Sequence, residues 1–192
     1  MQLNIYLISH PITQILSNSF TYQNINIDIN ENNNKKYLSL LLFYEIMRKN
    51  LKIKNIYVKQ ILKLKTIYLP DFYQQNYIIT DLSNTYFMIS EIKAIIPNFN
   101  IINIDQLNLN YNLNDKIIKM LKQNQKIKKK IIIFETILIQ NYILELIESL
   151  IKKLKINAKE INIACLVCNN QILNEISQKY PKLNVYTTKI IL

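Results

Sequence analysis

The sequence predicts an α/β fold with a parallel sheet and right-handed crossovers. Three observations carry that prediction. Strand-length apolar runs alternate with helix-length stretches, the pattern of βαβ units. The clearest case is KKKIIIFETILIQNYILELIESLIKKL (128–154), a buried strand running straight into an amphipathic helix. The chain is 192 residues long, with no internal repeat and no linker composition, so 1–192 reads as one domain.

The elements follow in order. Residues 1–20 hold a short apolar start, then Pro11 and a helical pattern through Ile12, Ile15 and Leu16. Residues 21–36, TYQNINIDINENNNKK, read as a polar connector. Residues 37–50 have apolar positions on more than one face, which predicts a well-buried helix. Residues 51–69 alternate Lys with apolar residues, the pattern of a half-exposed strand or two short ones. NYIITDLS (76–83) predicts a short buried strand ending at a polar turn. A helix over 84–96 stops before Pro97, and FNIINI (99–104) is the next strand. Residues 105–115 have no steady period, a loop or weak hairpin, and 116–126 are helical or irregular. Strand 131–135, helix 140–155, strand 161–167, helix 170–179 and strand 183–188 complete the chain. In open α/β sheets ligands bind beyond the carboxyl ends of strands. The candidate loops therefore follow 76–82, 131–135 and 161–167.

The composition is lopsided. Ile, Asn, Lys and Tyr are abundant and Gly is absent. The abundant residues have AT-rich codons, so the source is read as an AT-rich genome, an organelle or a reduced bacterium. This tempers the net charge of +11. Such a charge attracts nucleic acid or anionic membrane, but it also arises where the genome favours Lys. Arg48 is the only arginine, and base readers favour the guanidinium fork, which argues against specific nucleic-acid binding. No run reaches the ~18 apolar residues of a membrane span. The start MQLNIYLISHPITQ lacks the marks of a signal or transit peptide, so the protein is expected to work where it is made. Two cysteines suggest a reducing compartment.

Each chemical candidate has a bland counterpart. Cys165 and Cys168 form a C-x-x-C, but zinc needs further ligands and a redox pair needs a helix N-terminus, so a buried strand thiol is the expectation. His10 reads as a structural, hydrogen-bonded residue before a helix-starting proline rather than a base. Glu135 and Thr136 end the predicted strand 131–135. An acid there faces a ribose or a metal, or simply suits a helix start. Asp81 carries the same ambiguity, and Asp105 is weaker. The cluster Lys126, Lys128, Lys129 and Lys130 reads as a solvated edge.

The order of several fragments resembles the uracil phosphoribosyltransferase family along most of the chain. Ser9-His10-Pro11-Ile12 is similar to its H-P-L-I start, and Leu41-Leu42-Phe43-Tyr44-Glu45 with Arg48 to its L-L-x-Y-E-x-x-R helix. Ile95-Ile96-Pro97 is similar to its L-I-P. Cys165-Leu166-Val167, Tyr180-Pro181 and Val185-Tyr186-Thr187 are similar to its C-L-V-A … H-P-x-x-x-I-Y-T stretch. The resemblance implies a doubly wound parallel sheet of the type I phosphoribosyltransferase kind. It implies a reaction of uracil with phosphoribosyl diphosphate and magnesium, giving UMP and diphosphate in pyrimidine salvage. It also implies a homodimer.

The departures fall on the site. Where the family has D-P-M-L-A-T-G-G-S, this chain has Glu135-Thr136-Ile137-Leu138-Ile139-Gln140-Asn141-Tyr142-Ile143. Phosphate capture needs backbone N–H groups converging at a helix N-terminus, and paired glycines let the backbone approach the anion. By position, Glu135 and Thr136 match the ribose contacts and Gln140 and Asn141 the phosphate contacts, while Tyr142 brings bulk to the phosphate's place. In the second loop Ser83 stands where the family's Arg reaches the diphosphate, without its charge or fork. No residues match the family's G-D-A-G tail, which holds uracil. Losing a charged contact costs ~2–5 kcal/mol, and each ~1.4 kcal/mol is about tenfold in rate.

The expectation is therefore a homologue with little or no turnover, binding no membrane, and encoded in a plastid (chloroplast) or, failing that, working in the cytoplasm of an AT-rich bacterium. Magnesium enters only if it is active. A working enzyme with a changed loop is a second reading. A basic module for RNA or a protein partner on the same scaffold is a third.

Overall fold

The computed structural model describes residues 3–18, 29–71, 73–96, 99–104, 121, 128–138 and 142–191. Its strands are β1 (Asn4–Leu7), β2 (Ile53–Lys59), β3 (Leu64–Pro70), β4 (Gln74–Thr80), β5 (Phe99–Asn103), β6 (Lys128–Leu138), β7 (Ile161–Asn169) and β8 (Asn184–Ile191). Its α-helices are α1 (Pro11–Ser17), α2 (Ile29–Asn50), α3 (Leu82–Ile95), α4 (Tyr142–Lys152) and α5 (Asn170–Lys179).

Six strands form one sheet in the order β1-β8-β7-β6-β4-β5, every neighbouring pair parallel. Both faces are covered, so the central strands read as unbroken apolar runs rather than alternations. On β6, Ile131 and Ile133 turn to one face, where they pack with Ile143, Ile147 and Leu150 of α4 and Ile172 and Ile176 of α5. Ile132 and Phe134 turn to the other, against Leu42, Phe43 and Ile46 of α2 and Ile89 and Ile92 of α3. Each fully buried Ile stabilises by roughly 1.5–3 kcal/mol. This is the doubly wound α/β architecture that the sequence and its resemblance predict. No helix among the described residues is long and apolar enough to cross a membrane.

Without glycine, side chains close the helix ends. His10 Nδ1 accepts from Ile12 N at 3.2 Å and precedes Pro11, the structural role expected of it. Asn169 accepts from Gln171 N at 2.7 Å and starts α5 where the sequence placed it. Such caps are each worth ~0.5–2 kcal/mol.

Four expectations need correction. Residues 29–36 belong to α2, not to the connector, because Glu31 and Lys35 pair one turn apart and Leu38 and Leu42 bury the same helix. That helix buries one side only, and its Tyr37 and Tyr44 are exposed. The 51–69 segment is two short strands, the second of its two readings, paired as a hairpin β2–β3 in a sheet of its own, but β2 is exposed along its whole length rather than half-exposed. Two members of the lysine cluster are not a solvated edge: Lys129 and Lys130 lie in β6 and are half-buried, and Lys129 Nζ donates to Leu121 O. Burial lowers the Lys129 pKa. Residues 105–120, 122–127 and Pro97 lie outside the described residues, and with them Asp105 and Lys126.

Candidate functional site at the sheet switch point

The strand order reverses between β4 and β6. The chain runs outward from β4 to β5, then returns to the other side of β4 and continues through β6, β7 and β8. A crevice at such a reversal, outside the carboxyl ends, is where open α/β sheets bind ligands. Here those ends carry Thr80 and Asp81 on one side and Glu135 to Leu138 on the other.

The β4 side is closed by its own side chains. Thr80 Oγ1 donates to Phe134 O at 2.7 Å, tying β4 to β6, and sits 2.8 Å from Thr85 Oγ1. Asp81 caps α3. Its carboxylate accepts from Ser83 N at 2.9 Å, from Ser83 Oγ at 2.6 Å and from Asn84 Nδ2 at 3.0 Å. Asn103, from the end of β5, accepts from Leu82 N at 2.9 Å. The N–H groups that a helix N-terminus would offer an anion are thus taken by Asp81 and Asn103, and Asp81 adds a negative charge there. The ambiguity over Asp81 resolves in favour of the helix start.

On the β6 side, the strand extends to Leu138, so Glu135 and Thr136 lie within it rather than at its end. Pairing with β7 continues past them, through Ile137↔Val167 and Leu138↔Cys168. Glu135 is only 5% exposed. Tyr142, the first residue of α4, donates its phenol to Glu135 Oε1. Burial pushes the Glu135 carboxyl up to about 7; the Tyr142 bond lowers it, and the negative charge of Asp81 raises it further. Thr136 Oγ1 is buried with no hydrogen-bond partner. Ser83 is brought to the same crevice but is spent on Asp81. Gln140 and Asn141 lie outside the described residues.

Cys165 and Cys168 are buried free thiols, as expected of a strand. Burial raises the Cys165 thiol well above its usual range, which keeps it an unreactive thiol. The Glu135–Tyr142 pair was not foreseen from the sequence. Its signal is an acid and a tyrosine seven residues apart across a strand–helix junction. A cavity of about 450 Å³ lies elsewhere, between α2, α3 and the root of β2.

Comparison with known proteins bears on this arrangement. The chain is 30% identical over 200 residues to "Uracil phosphoribosyltransferase homolog" of Porphyra purpurea, covering 99% of this chain and 89% of that one. The chain belongs to the uracil phosphoribosyltransferase-like family. A second such homolog, from Pyropia yezoensis, is 29% identical over 198 residues, 99% of this chain and 89% of its relative. Both relatives are red algal. No protein-family model matches the chain. Among solved structures, "Structure of AQ2163 protein from Aquifex aeolicus" superposes with a TM-score of 0.68 at 14% identity, covering 97% of this chain and 86% of that one, a likeness of fold.

Proposed function

We propose that this chain is a uracil phosphoribosyltransferase homologue whose turnover of uracil and phosphoribosyl diphosphate is weak or absent. One observation carries the proposal: where β6 meets α4, the Tyr142 phenol is hydrogen-bonded to the buried Glu135. A 5-phosphate entering between β6 and α4 meets that phenol and a buried acid. The self-capped start of α3 supports the same reading, since Asp81 repels a diphosphate that the family's Arg would attract.

The family reaction uses magnesium, and the residues present do not fit a resident metal. Among the described residues no three Asp, Glu, His or Cys side chains come together. The two carboxylates of the crevice are committed, Asp81 to Ser83 and Asn84, and Glu135 to Tyr142.

Titration calorimetry with phosphoribosyl diphosphate and magnesium chloride, followed by a labelled-uracil assay on the same sample, tests the proposal. The expected result is no saturable heat at millimolar ligand and no UMP above background. Saturable heat together with sustained multiple-turnover UMP formation overturns it. A plastid gene is part of the proposal, supported by the AT-rich residue usage and the red algal relatives. Hybridisation of the gene to nuclear rather than plastid DNA would remove that part.

A further inference from the structure

The parallel topology gathers one chemistry at the end of the sheet opposite the crevice. Chain leaving α4 turns back to start β7, and chain leaving α5 turns back to start β8. These strands are neighbours, with Asn162 paired to Asn184. Their entry connections, 152–160 and 179–183, therefore lie side by side. The connections carry Lys152, Lys153, Lys155, Lys159, Lys179 and Lys182, all exposed, against one acid, Glu160. Glu148 shows that the two stretches meet. Its carboxyl is held below the ordinary range by its bond to Lys152 and the charge of Lys152, and more weakly by Lys179 of the other helix.

Two simpler causes account for only part of this patch. A cation in the last helical turn complements the helix dipole, which covers Lys152 and Lys179. Lys153, Lys155, Lys159 and Lys182 stand beyond those turns. Codon bias supplies lysine but does not sort it, and the crevice end of the same sheet carries Asp81 and Glu135. Lys153, Lys155, Lys159, Lys179 and Lys182 make no ion pair among the described residues.

The platform beneath the charges is fixed. Asn4 Nδ2 donates to Asn184 Oδ1 at 3.2 Å, and Asn184 Nδ2 to Asn162 Oδ1 at 3.1 Å, a ladder across the starts of β1, β8 and β7. Asn157 Oδ1 accepts from Lys159 N at 3.1 Å, and Leu183 N donates to Tyr180 O at 3.2 Å. Backbone held in this way before a partner arrives lowers the ordering cost of association.

We propose that this lysine end binds the phosphate backbone of duplex DNA without reading its sequence. Duplex DNA presents one negative charge per ~1.7 Å of axis, and lysines bind it as point charges that release its counterions. Base reading favours the guanidinium, and the only arginine, Arg48, lies on α2 in a pair with Glu45. Single strands are gripped by exposed aromatic rings, whereas Tyr180, the one aromatic residue of the two connections, is half-buried against the core. Membrane surfaces are entered by apolar side chains as well as cations. Among the described residues from 142 to 189 no large apolar side chain is exposed. The proposal does not rest on whether the crevice turns over substrate.

Fluorescence anisotropy of a short labelled DNA duplex, titrated with the full chain, tests it. The expected dissociation constant is of micromolar order at about 50 mM salt and roughly a hundredfold weaker at about 200 mM, the dependence of about four phosphate contacts. Lys155→Gln/Lys182→Gln is expected to flatten the salt slope by about two and to weaken binding by roughly tenfold or more, with an unchanged circular dichroism spectrum. Lys63→Gln/Lys65→Gln, which removes the same charge from the hairpin, is expected to leave slope and affinity unchanged. Absence of binding at the lower salt overturns the proposal. So does an equal loss in the two double variants, which would assign the affinity to overall charge. So does tighter binding of single-stranded RNA of the same length, or binding of phosphatidylglycerol vesicles with none of the duplex.

Discussion

The Tyr142 hydroxyl donates to Glu135 Oε1 and so joins β6 to the first turn of α4. The burial of Glu135, which this bond only partly offsets, makes stability depend on pH. Glu135 titrates near 7 in the fold against 4.5 when unperturbed, so the folded chain holds a proton that the unfolded chain releases. The stabilising contribution of that proton is fully present below about 4.5 and is lost as pH rises to about 7. That difference corresponds to about 3 kcal/mol. Glu135→Gln keeps an acceptor for the phenol and removes the titration. Its melting temperature should exceed that of wild type at pH 8, with the difference vanishing near pH 5. An equal difference at both pH values would show that Glu135 does not titrate in this window.

Tyr142→Phe acts in the opposite sense. It removes the hydrogen bond that lowers the Glu135 pKa and leaves a buried carboxylate short of a donor. The cost of such a deletion is about 1–3 kcal/mol. The loss should be greater at pH 8, where the carboxylate is charged, than at pH 5. Urea denaturation at the two pH values measures it, and a loss independent of pH would assign Tyr142 to packing alone.

Asp81→Ala removes the α3 cap together with its bonds to Ser83 and Asn84. The variant should lose about 1–2 kcal/mol in denaturant unfolding. Asp81→Asn retains an acceptor for Ser83 N and should lose less than half as much. On the proposed function, neither should produce UMP in the uracil assay.

The parts legible in the sequence are those whose local pattern and tertiary setting agree. Ile161–Asn169 and Asn170–Lys179 show this: an apolar run buried on both faces, then an asparagine cap, then an amphipathic helix. Residues 29–36 look like a connector because Asn favours turns on propensity, whereas packing of the following turns through Leu38 and Leu42 carries the helix back over them. The hairpin alternates as a half-buried strand does, yet alternation says nothing about whether anything covers the apolar face. At the crevice, Glu135, Ser83 and Asp81 could be placed by position. Their partners could not, because Tyr142 reaches Glu135 only through the strand–helix geometry, and Asn103 reaches Leu82 N from a strand 21 residues on.

The absence of glycine has one measurable consequence at the end of α4. Lys155 has φ 53°, the one positive φ among the described residues, where a helix ending of this kind ordinarily uses glycine. The turn is held by Ile156 N donating to Leu150 O at 3.3 Å, so the backbone cannot relax out of it without losing that bond. A residue with a Cβ in the left-handed region is strained by roughly 1–2 kcal/mol, and Lys155 is exposed, so its side chain gives little in return. Lys155→Gly relieves that strain but adds freedom to the unfolded chain, which offsets part of the gain. The net expectation is a stabilisation of about 0.5–1 kcal/mol. Ser149→Gly, six residues earlier inside α4, meets no such strain and should destabilise by about 0.5 kcal/mol. Parallel thermal melts of the two variants check the sign. If both glycines destabilise, the left-handed turn at Lys155 carries no strain for glycine to release.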